Sequence, residues 1–337
     1  MPTLLFTGQH PRLDPAEYGL AQFRACRLEC AGEENPHAHV GRVAAAVMPL
    51  LLRPPDLLVV QGDTSSALGA ALAAFTAGVP VAHVEAGLRS HDPTLPWPEE
   101  EYRTAIDAGA DLLFAPTDTA ASNLRAEAVP GTIHVTGNTG IDALLEVEAQ
   151  APPVQARDSK VKRLLVTCHR RESWGQGLRS IATAVARLAD RDDVQIEVVL
   201  HPNGHASRSL AERLDGHMRI ELIPPCNHAA LIGRMRGADL ILSDSGGIQE
   251  EAPALGVPLL VLRDKTERPE GINSGNALLV GTSADPIVDA ASRLLDDPAE
   301  LAKMARRTFP YGDGRAAPRI AAVIESWLEA NKRSGIA

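Results

Sequence analysis

The sequence has 337 residues, enough for about two domains of ordinary size, and its 45% apolar and 23% charged residues are typical of a soluble globular protein. The formal net charge of −10 argues against nucleic-acid binding, and no apolar run approaches the roughly 20 residues of a membrane span. The first residues lack the features of a signal peptide, and four scattered cysteines indicate free thiols in a reducing compartment. We therefore expect a cytoplasmic protein without a bound metal.

Short apolar runs alternate with longer helical patterns along the chain. Most runs are continuous rather than alternating, which is typical of parallel strands covered on both faces. Stretches rich in Ala, Leu and Arg, such as 68–77 and 180–189, predict the helices between them. The predicted strands are 4–7, 56–60, 79–84, 111–115, 132–136, 164–167, 194–200, 220–223, 239–243, 258–262 and 277–280. The repeated order of strand and helix predicts an α/β protein with doubly wound parallel sheets.

The composition changes over residues 148–162, which are polar, contain Pro152 and Pro153, and show no strong periodicity. We interpret this stretch as a linker between a first domain, 1–150, and a second domain, 160–310. Ligands of doubly wound domains bind outside the carboxyl ends of the strands. In a two-domain protein those ends can face each other across a cleft.

Polar segments directly follow four of the predicted strands, where a ligand of such a sheet is expected. One loop of this kind is explained by a residue that caps the next helix, but four in both domains are hard to explain by capping alone. The segments are 61–66, 85–89, 169–173 and 244–251.

In the last of these segments, Gly246 and Gly247 stand at a predicted turn from strand to helix. Glycines let backbone N–H groups approach a ligand, and a helix N-terminus favours a diphosphate. Glu251, one to two turns later, suits a ribose diol. A Ser-capped helix with a tight glycine turn explains the segment alone equally well.

Acidic residues point to proton chemistry. Glu99 and Arg103 are four apart and share a helix face, while Asp63 and Glu85 follow neighbouring strands. Three carboxylates near one cleft suit general acid–base work on a weakly acidic C–H bond, although a solvated acidic helix start is the alternative for Glu99. His169 is either structural or, with the arginines that follow it, a diphosphate contact.

Taken together, these segments resemble the non-hydrolysing UDP-N-acetylglucosamine 2-epimerase family. The match runs from about residue 5 to the end of the chain in family order, which is far more specific than any single motif. The matching stretches are GDTSS (62–66), HVEAGLR (83–89), PWPEE (96–100), TGNT (136–139), HRRES (169–173), DSGGIQEEAP (244–253), RDKTERPE (263–270) and PYGDG (310–314).

The resemblance implies the glycosyltransferase B fold, two facing Rossmann-like domains with an active-site cleft between them, usually in a homodimer. The second domain would bind UDP, and the C-terminal helix, 313–332, would join the first domain. The implied reaction interconverts UDP-N-acetylglucosamine and UDP-N-acetylmannosamine through loss and re-addition of UDP, with a 2-acetamidoglucal intermediate. No cofactor is expected, and the absence of a G-x-G-x-x-G fingerprint agrees.

The resemblance also assigns individual residues. Those matching the family's catalytic residues are Asp63, Glu85, Glu99 and His169, with Glu85 and Glu99 as the favoured acid/base pair. Those matching substrate-binding residues are Arg103, Ser245, Gly246, Gly247, Glu251 and Leu231, the last standing where the family has an aromatic residue near the uracil.

The sequence also departs from the family. The family's first strand and its Gly-Thr-Arg-Pro-Glu loop, whose arginine binds diphosphate, have no counterpart, so the first domain is expected to lack that unit. Gln9 and His10 are the only recognisable remnants of the segment that binds a second, activating sugar nucleotide.

Three alternatives remain at this point. A hydrolysing 2-epimerase would release N-acetylmannosamine, but the segment around Glu85 does not resemble that family's. A glycosyltransferase would share the fold, since fold alone does not fix function. A catalytically impaired UDP-sugar-binding protein is favoured by the missing arginine loop.

Overall fold

The computed structural model describes residues 2–9, 14–153, 160–168, 175–201 and 204–333. The chain divides into two compact units. Unit 1 comprises Met1–Thr136 and Arg319–Ala337, and unit 2 comprises Gly137–Pro318.

The strands of each unit are short and are joined by helices. In unit 1 they are β1 (Thr3–Phe6), β2 (Arg24–Arg27), β3 (Leu58–Gln61), β4 (Val81–Val84), β5 (Leu112–Ala115) and β6 (Thr132–Val135). In unit 2 they are β7 (Lys162–Thr167), β8 (Val194–Val199), β9 (Ile220–Ile223), β10 (Leu240–Ser243), β11 (Leu259–Val261) and β12 (Ala277–Leu279).

Helices follow most of the strands, and short 3₁₀ helices occur at Pro15–Tyr18 and Met48–Leu52. The α-helices are α1 (Pro36–Val47), α2 (Ser65–Ala77), α3 (Glu99–Asp107), α4 (Asp118–Ala126), α5 (Thr139–Gln150), α6 (Gln176–Ala189), α7 (Gly204–Leu214), α8 (His228–Gly237), α9 (Gly246–Leu255), α10 (Glu270–Asn273), α11 (Ala284–Asp296), α12 (Pro298–Met304) and α13 (Ala316–Arg333). None of the described helices combines the length and apolar character that crossing a membrane requires.

All described strand pairs are parallel. In unit 1, β3, β4, β5 and β6 form one sheet in that order, and β1 pairs with β2. The sheet of unit 2 has the order β12-β11-β10-β7-β8-β9. Strands β7, β8 and β9 extend the sheet to one side and β10, β11 and β12 extend it to the other, so the order of winding switches between β7 and β10. Such a topological switch point is where doubly wound sheets bind ligands.

The predicted α/β class with parallel sheets is confirmed. Each predicted strand has a counterpart within a few residues, but β2 was missed. Its sequence, Arg-Ala-Cys-Arg, carries charge at both ends and is largely exposed, so it has no apolar run that would signal a strand.

In unit 1, the inner strands β4 and β5 are buried on both faces, which explains their continuous apolar sequences. On one face, residues of α1 and α2 pack against the sheet. On the other, Ala82, Val84 and Phe114 contact Ile320 of α13, with Trp327 packed beside them. The C-terminal helix therefore completes the core of unit 1.

The units divide at a different place from the predicted linker, 148–162. Unit 2 begins at Gly137, so α5 belongs to unit 2 and not to a first domain ending at 150. The reason is packing: Ile141 and Leu144 of α5 are buried with Ile232, Ala254 and Tyr311 of unit 2. The prolines at 152 and 153 mark the loop after α5, part of which, 154–159, lies outside the described residues.

Candidate functional site

Asp63 and Glu85 lie at the same edge of the unit 1 sheet. Gln61 at the end of β3 is in register with Val84 at the end of β4, so the two loops leave the sheet side by side. A Cβ atom added to Gly62 would lie 3.5 Å from Glu85 Oε2, which places the Glu85 carboxylate against the loop that carries Asp63.

Glu85 has a backbone conformation that non-glycine residues rarely adopt, with φ of 70°. The turn is held by Phe114, whose carbonyl oxygen accepts hydrogen bonds from the N–H groups of Glu85 and Ala86 at 3.1 Å each. A residue in this region costs on the order of 1–3 kcal/mol, and such strain concentrates at functional sites. The strain therefore identifies Glu85 as a residue whose placement matters.

The side chain of Arg103 is only 2% exposed, and it connects α3 to the loop after β3. Its Nη2 and Nε atoms donate to Asp63 Oδ2 at 2.5 and 3.0 Å, and its Nη1 donates to Glu100 Oε2 at 3.0 Å. Glu100 also accepts from the N–H groups of Ser90 and His91. The structure thus brings together the predicted residues Asp63 and Arg103, and it adds Glu100.

Glu99 begins α3, directly before Glu100, and is half-buried. Arg103 follows it by one helical turn, as the spacing predicted. The acidic first turn of α3 is therefore not a uniformly solvated face. Glu100 is buried and accepts hydrogen bonds, while Glu99 remains partly accessible.

Gln9 follows β1 and is tied to α2. Its Oε1 accepts a hydrogen bond from Ser66 Oγ at 2.5 Å, and Ser66 Oγ also lies 2.8 Å from Thr7 Oγ1. His10 lies outside the described residues. The role of both as remnants of an activator site stays a prediction.

In unit 2, the segment with two glycines leaves the sheet at the topological switch point. Thr167 at the end of β7 pairs in register with Ser243 at the end of β10, and their hydroxyl oxygens are 2.6 Å apart. The N–H of Ser245 donates to Ser243 Oγ at 3.0 Å, and α9 begins at the next residue, Gly246.

The N-terminus of α9 is suited to an anion. Among the described contacts, the Ser245 side chain makes no capping hydrogen bond to the helix, which disfavours the simple Ser-capped interpretation. The first N–H groups of any helix lack partners within the helix, and the helix dipole favours negative charge there. A Cβ atom on Gly247 would meet no described atom within 4 Å, so the space beside these N–H groups is open.

Glu251 is engaged by a residue that sequence reasoning missed. Its Oε1 lies 2.7 Å from His228 Nε2, and this hydrogen bond is the main reason that the pKa of His228 is raised above its ordinary value. His228 begins α8, one turn before Leu231, which is half-buried against the core of unit 2. The only signal for His228 in the sequence was its position three residues before Leu231, which places both residues on one helix face.

Comparisons with known proteins show the family of the chain. The family model described as UDP-N-acetylglucosamine 2-epimerase matches residues 2–325. A UDP-N-acetylglucosamine 2-epimerase from Yersinia pestis is 44% identical over 299 residues, which are 85% of this chain and 80% of the relative.

The chain belongs to the UDP-N-acetylglucosamine 2-epimerase family. It is accordingly an enzyme of the isomerase class, and the resemblance drawn from the motifs is confirmed.

Two solved structures of the family extend the likeness to three dimensions. The UDP-GlcNAc 2-epimerase from Neisseria meningitidis, bound to UDP-GlcNAc, has a TM-score of 0.86 and 34% identity, covering 94% of this chain and 90% of that one. A UDP complex of S. aureus MnaA has a TM-score of 0.82 and 33% identity, covering 98% and 97%. The fold class is thus that of the glycosyltransferase B type.

His169, which matches the histidine of the epimerase motif HRRES, lies outside the described residues, as does the rest of 169–174. The described residue before this segment is the buried Cys168. Burial, and then the nearby Asp244, raise the pKa of the Cys168 thiol well above its usual range, which disfavours the reactive thiolate form.

An arginine of the epimerase motif RDKTERPE forms a buried ion pair with α9. Arg268 Nε donates to Glu250 Oε1 at 2.5 Å, and Glu250 Oε2 accepts from Asn138 Nδ2 at 2.5 Å. Arg268 also pairs with Glu267, which lies 3.1 Å from Arg263. These buried charges fix the helix whose N-terminus is the candidate diphosphate site.

Proposed function

We propose that this protein interconverts UDP-N-acetylglucosamine and UDP-N-acetylmannosamine by epimerisation at C2, without hydrolysis and without a cofactor. Family membership supports the proposal, as do a relative named UDP-N-acetylglucosamine 2-epimerase and similar structures that contain UDP-GlcNAc or UDP. The observation that carries it is the strained Glu85 beside the Asp63–Arg103 pair at one sheet edge.

The proposed chemistry is elimination followed by addition. A base takes the C2 proton, the bond between C1 and the diphosphate oxygen breaks, and UDP departs with the electron pair, which leaves a 2-acetamidoglucal. An acid then delivers a proton to the opposite face of C2 while a UDP oxygen bonds to C1. Proton transfer on two faces requires two groups, each of which typically contributes ~10²–10⁴-fold.

Unit 1 supplies the groups for proton transfer. Glu85 and Glu99 form the acid/base pair in this proposal, since both are half-buried and Glu85 is held in a strained turn. Asp63 is the third carboxylate of the set, and Arg103 fixes it from two nitrogen atoms. Arg103 also donates to Glu100 through Nη1, and this ion pair orients the start of α3.

Unit 2 supplies the nucleotide contacts. The N–H groups of Gly246 and Gly247, together with the Ser245 hydroxyl, would hold the diphosphate at the N-terminus of α9. Glu251 would accept hydrogen bonds from the ribose diol, and Leu231 would contact the uracil. His169 would assist departure of the diphosphate. Assembly as a homodimer and a cytoplasmic location stay predictions of the resemblance.

The deciding experiment is incubation of the purified protein with UDP-N-acetylglucosamine in deuterated water, followed by NMR. Epimerisation gives UDP-N-acetylmannosamine with deuterium at C2 of a sugar that is still attached to UDP. Free N-acetylmannosamine would instead show hydrolysis. Unchanged substrate would refute epimerisation, and a second incubation with an added acceptor would then distinguish a glycosyltransferase from a binding protein.

A matched variant assigns the site. Glu99→Gln removes an acid/base group and keeps its shape, so turnover should fall by ~10²–10⁴-fold while the affinity for UDP stays nearly constant. Turnover is measured by the same NMR assay and UDP affinity by calorimetry. Unchanged turnover would remove Glu99 from the proton chemistry.

A further inference from the structure

Asp107, the last residue of α3, is a fully buried carboxylate on which three hydrogen-bond donors converge. Its Oδ1 lies 2.6 Å from His83 Nδ1, and its Oδ2 accepts from the N–H of Gly87 at 3.1 Å. Oδ2 also lies 2.8 Å from Nη2 of Arg89, whose other partner is Glu127. Neither the resemblance nor the proposed chemistry assigns a role to this group.

His83 connects Asp107 to the loop that carries Asp63. The ring is fully buried on β4, and its Nε2 lies 2.9 Å from the carbonyl oxygen of Gly62, the residue before Asp63. Both ring nitrogens therefore lie within hydrogen-bond distance of an oxygen atom. One ring thus spans the distance from the Asp107 carboxylate to the backbone at Gly62.

Gly87 connects Asp107 to the turn at Glu85. Its φ is 83°, and a Cβ atom there would lie 2.3 Å from the carbonyl oxygen of Ala120, so only glycine fits. Its own carbonyl oxygen accepts from Asn123 Nδ2 at 3.0 Å. With Phe114 holding the N–H of Glu85, both sides of the strained turn are fixed.

The Asp107 carboxylate is held in its ionised form. Burial alone would raise the pKa of Asp107, but hydrogen bonding and charge from His83 and Arg89 lower it instead, so the carboxylate stays ionised. Arg89 pairs with both carboxylates, Asp107 and Glu127, and His83 contacts Asp107 from the other side. A buried polar cluster whose members are all hydrogen-bonded can hold a fixed geometry in the interior.

Glu99, the other proposed acid/base residue, lies on the same face of α3 as Asp107. Glu99, Arg103 and Asp107 lie at four-residue intervals along α3. We propose that Asp107 and His83 are positioning residues, which set the places of Asp63 and Glu85 relative to Glu99 and so control the rate of proton transfer at C2. The inference rests on the proposed epimerisation, because it concerns the acid/base residues of that reaction.

Asp107→Asn is the sharpest test. The amide keeps the shape of the carboxylate, but its NH2 group must face at least one of the three donors, so the loops at Gly62 or Gly87 shift. Misplacement of reacting groups by about 1 Å costs on the order of 10²-fold in rate. We expect kcat to fall ~10- to 100-fold, while KM and the UDP affinity stay within about two-fold because the proposed UDP contacts belong to unit 2.

Asp111→Asn is the matched control. The Asp111 carboxylate accepts from the N–H of Val81 at 2.9 Å, so it supports the opposite end of the same strand, β4. It should leave kcat unchanged. The melting temperature and kcat of this control variant together show how much a loss of stability alone lowers the rate.

The outcomes separate this inference from the proposed function. A wild-type protein that does not epimerise refutes the proposed function itself. An active wild type with an Asp107→Asn variant of equal kcat overturns the inference, and so does a variant in which kcat and UDP affinity fall together.

A second variant covers a failure to fold. His83→Gln can donate to only one of its two acceptors, and it should show the same split between kcat and KM. If both variants fail to fold, the network serves stability alone and the proposal is overturned.

Discussion

At the scale of single residues, the site depends on contacts between residues far apart in sequence. The strand-end positions of Asp63 and Glu85 followed from the apolar runs, and the four-residue spacing of Glu99 and Arg103 from helix geometry. The pairing of Arg103 with Asp63, forty residues away, could not be predicted from one sequence, nor could that of His228 with Glu251, because each needs two elements docked together.

The strain at Glu85 predicts an unusual ranking of variants. Glu85→Gly and Glu85→Ala both remove the carboxylate, so both should lose turnover by ~10²–10⁴-fold. Glycine adopts φ of 70° freely and alanine does not, so the glycine variant should be more stable by about 1 kcal/mol. Denaturant unfolding of the two variants measures the difference. A more stable alanine variant would mean that the turn is not strained.

The hydrogen bond between His228 and Glu251 predicts a dependence of stability on pH. The pKa of His228 is raised in the folded protein, chiefly by this bond, so its contribution is fully present below the ordinary value of about 6.5 and is lost as pH rises through the folded pKa. The excess melting temperature of wild type over His228→Gln should therefore be larger at pH 6 than at pH 8.5. An excess that is constant or grows with pH would contradict the pairing.

At the scale of elements, what could be predicted depended on burial. Strands such as β4, β5 and β10 are buried along their length, so their continuous apolar runs identified them. β2 is an exposed strand with arginine at both ends, and its pairing with β1 leaves no periodic signal. The turn before α9 was predicted from its glycines, but the absence of a Ser245 cap among the described contacts required the structure.

The open space at Gly247 predicts a variant that separates binding from folding. A Cβ atom there would meet no described protein atom within 4 Å, and a valine side chain would occupy the space proposed for the diphosphate. UDP affinity should fall at least ten-fold, which is about 1.4 kcal/mol, with little change in melting temperature. Gly233→Val is the control, since Gly233 lies in α8 with equally open surroundings among the described residues. Normal calorimetric affinity of a folded Gly247→Val protein would refute the diphosphate site.

At the scale of the whole molecule, the sequence indicated two parallel-sheet units but misplaced the point of division. Polar composition and prolines mark a loop, whereas the division of the fold is set by which core a helix joins. Ile141 and Leu144 place α5 with unit 2, and no local pattern distinguishes that core from the other.

The last prediction concerns α13, which belongs to unit 1 from Arg319 onward although it is far from the rest of that unit in sequence. Ile320 is 7% exposed and packs against the sheet face formed by Ala82, Val84 and Phe114. Ile320→Ala would remove buried methyl groups and leave a cavity, which costs about 2–5 kcal/mol. The proposed nucleotide contacts all lie in unit 2, so UDP affinity should change less than two-fold while the melting temperature falls. Since α13 covers the sheet that carries Asp63 and Glu85, turnover should be lost on warming at a lower temperature than in the wild type. A variant with wild-type thermal stability would show that α13 contributes little to the unit 1 core, and a large loss of UDP affinity would contradict the assignment of nucleotide binding to unit 2.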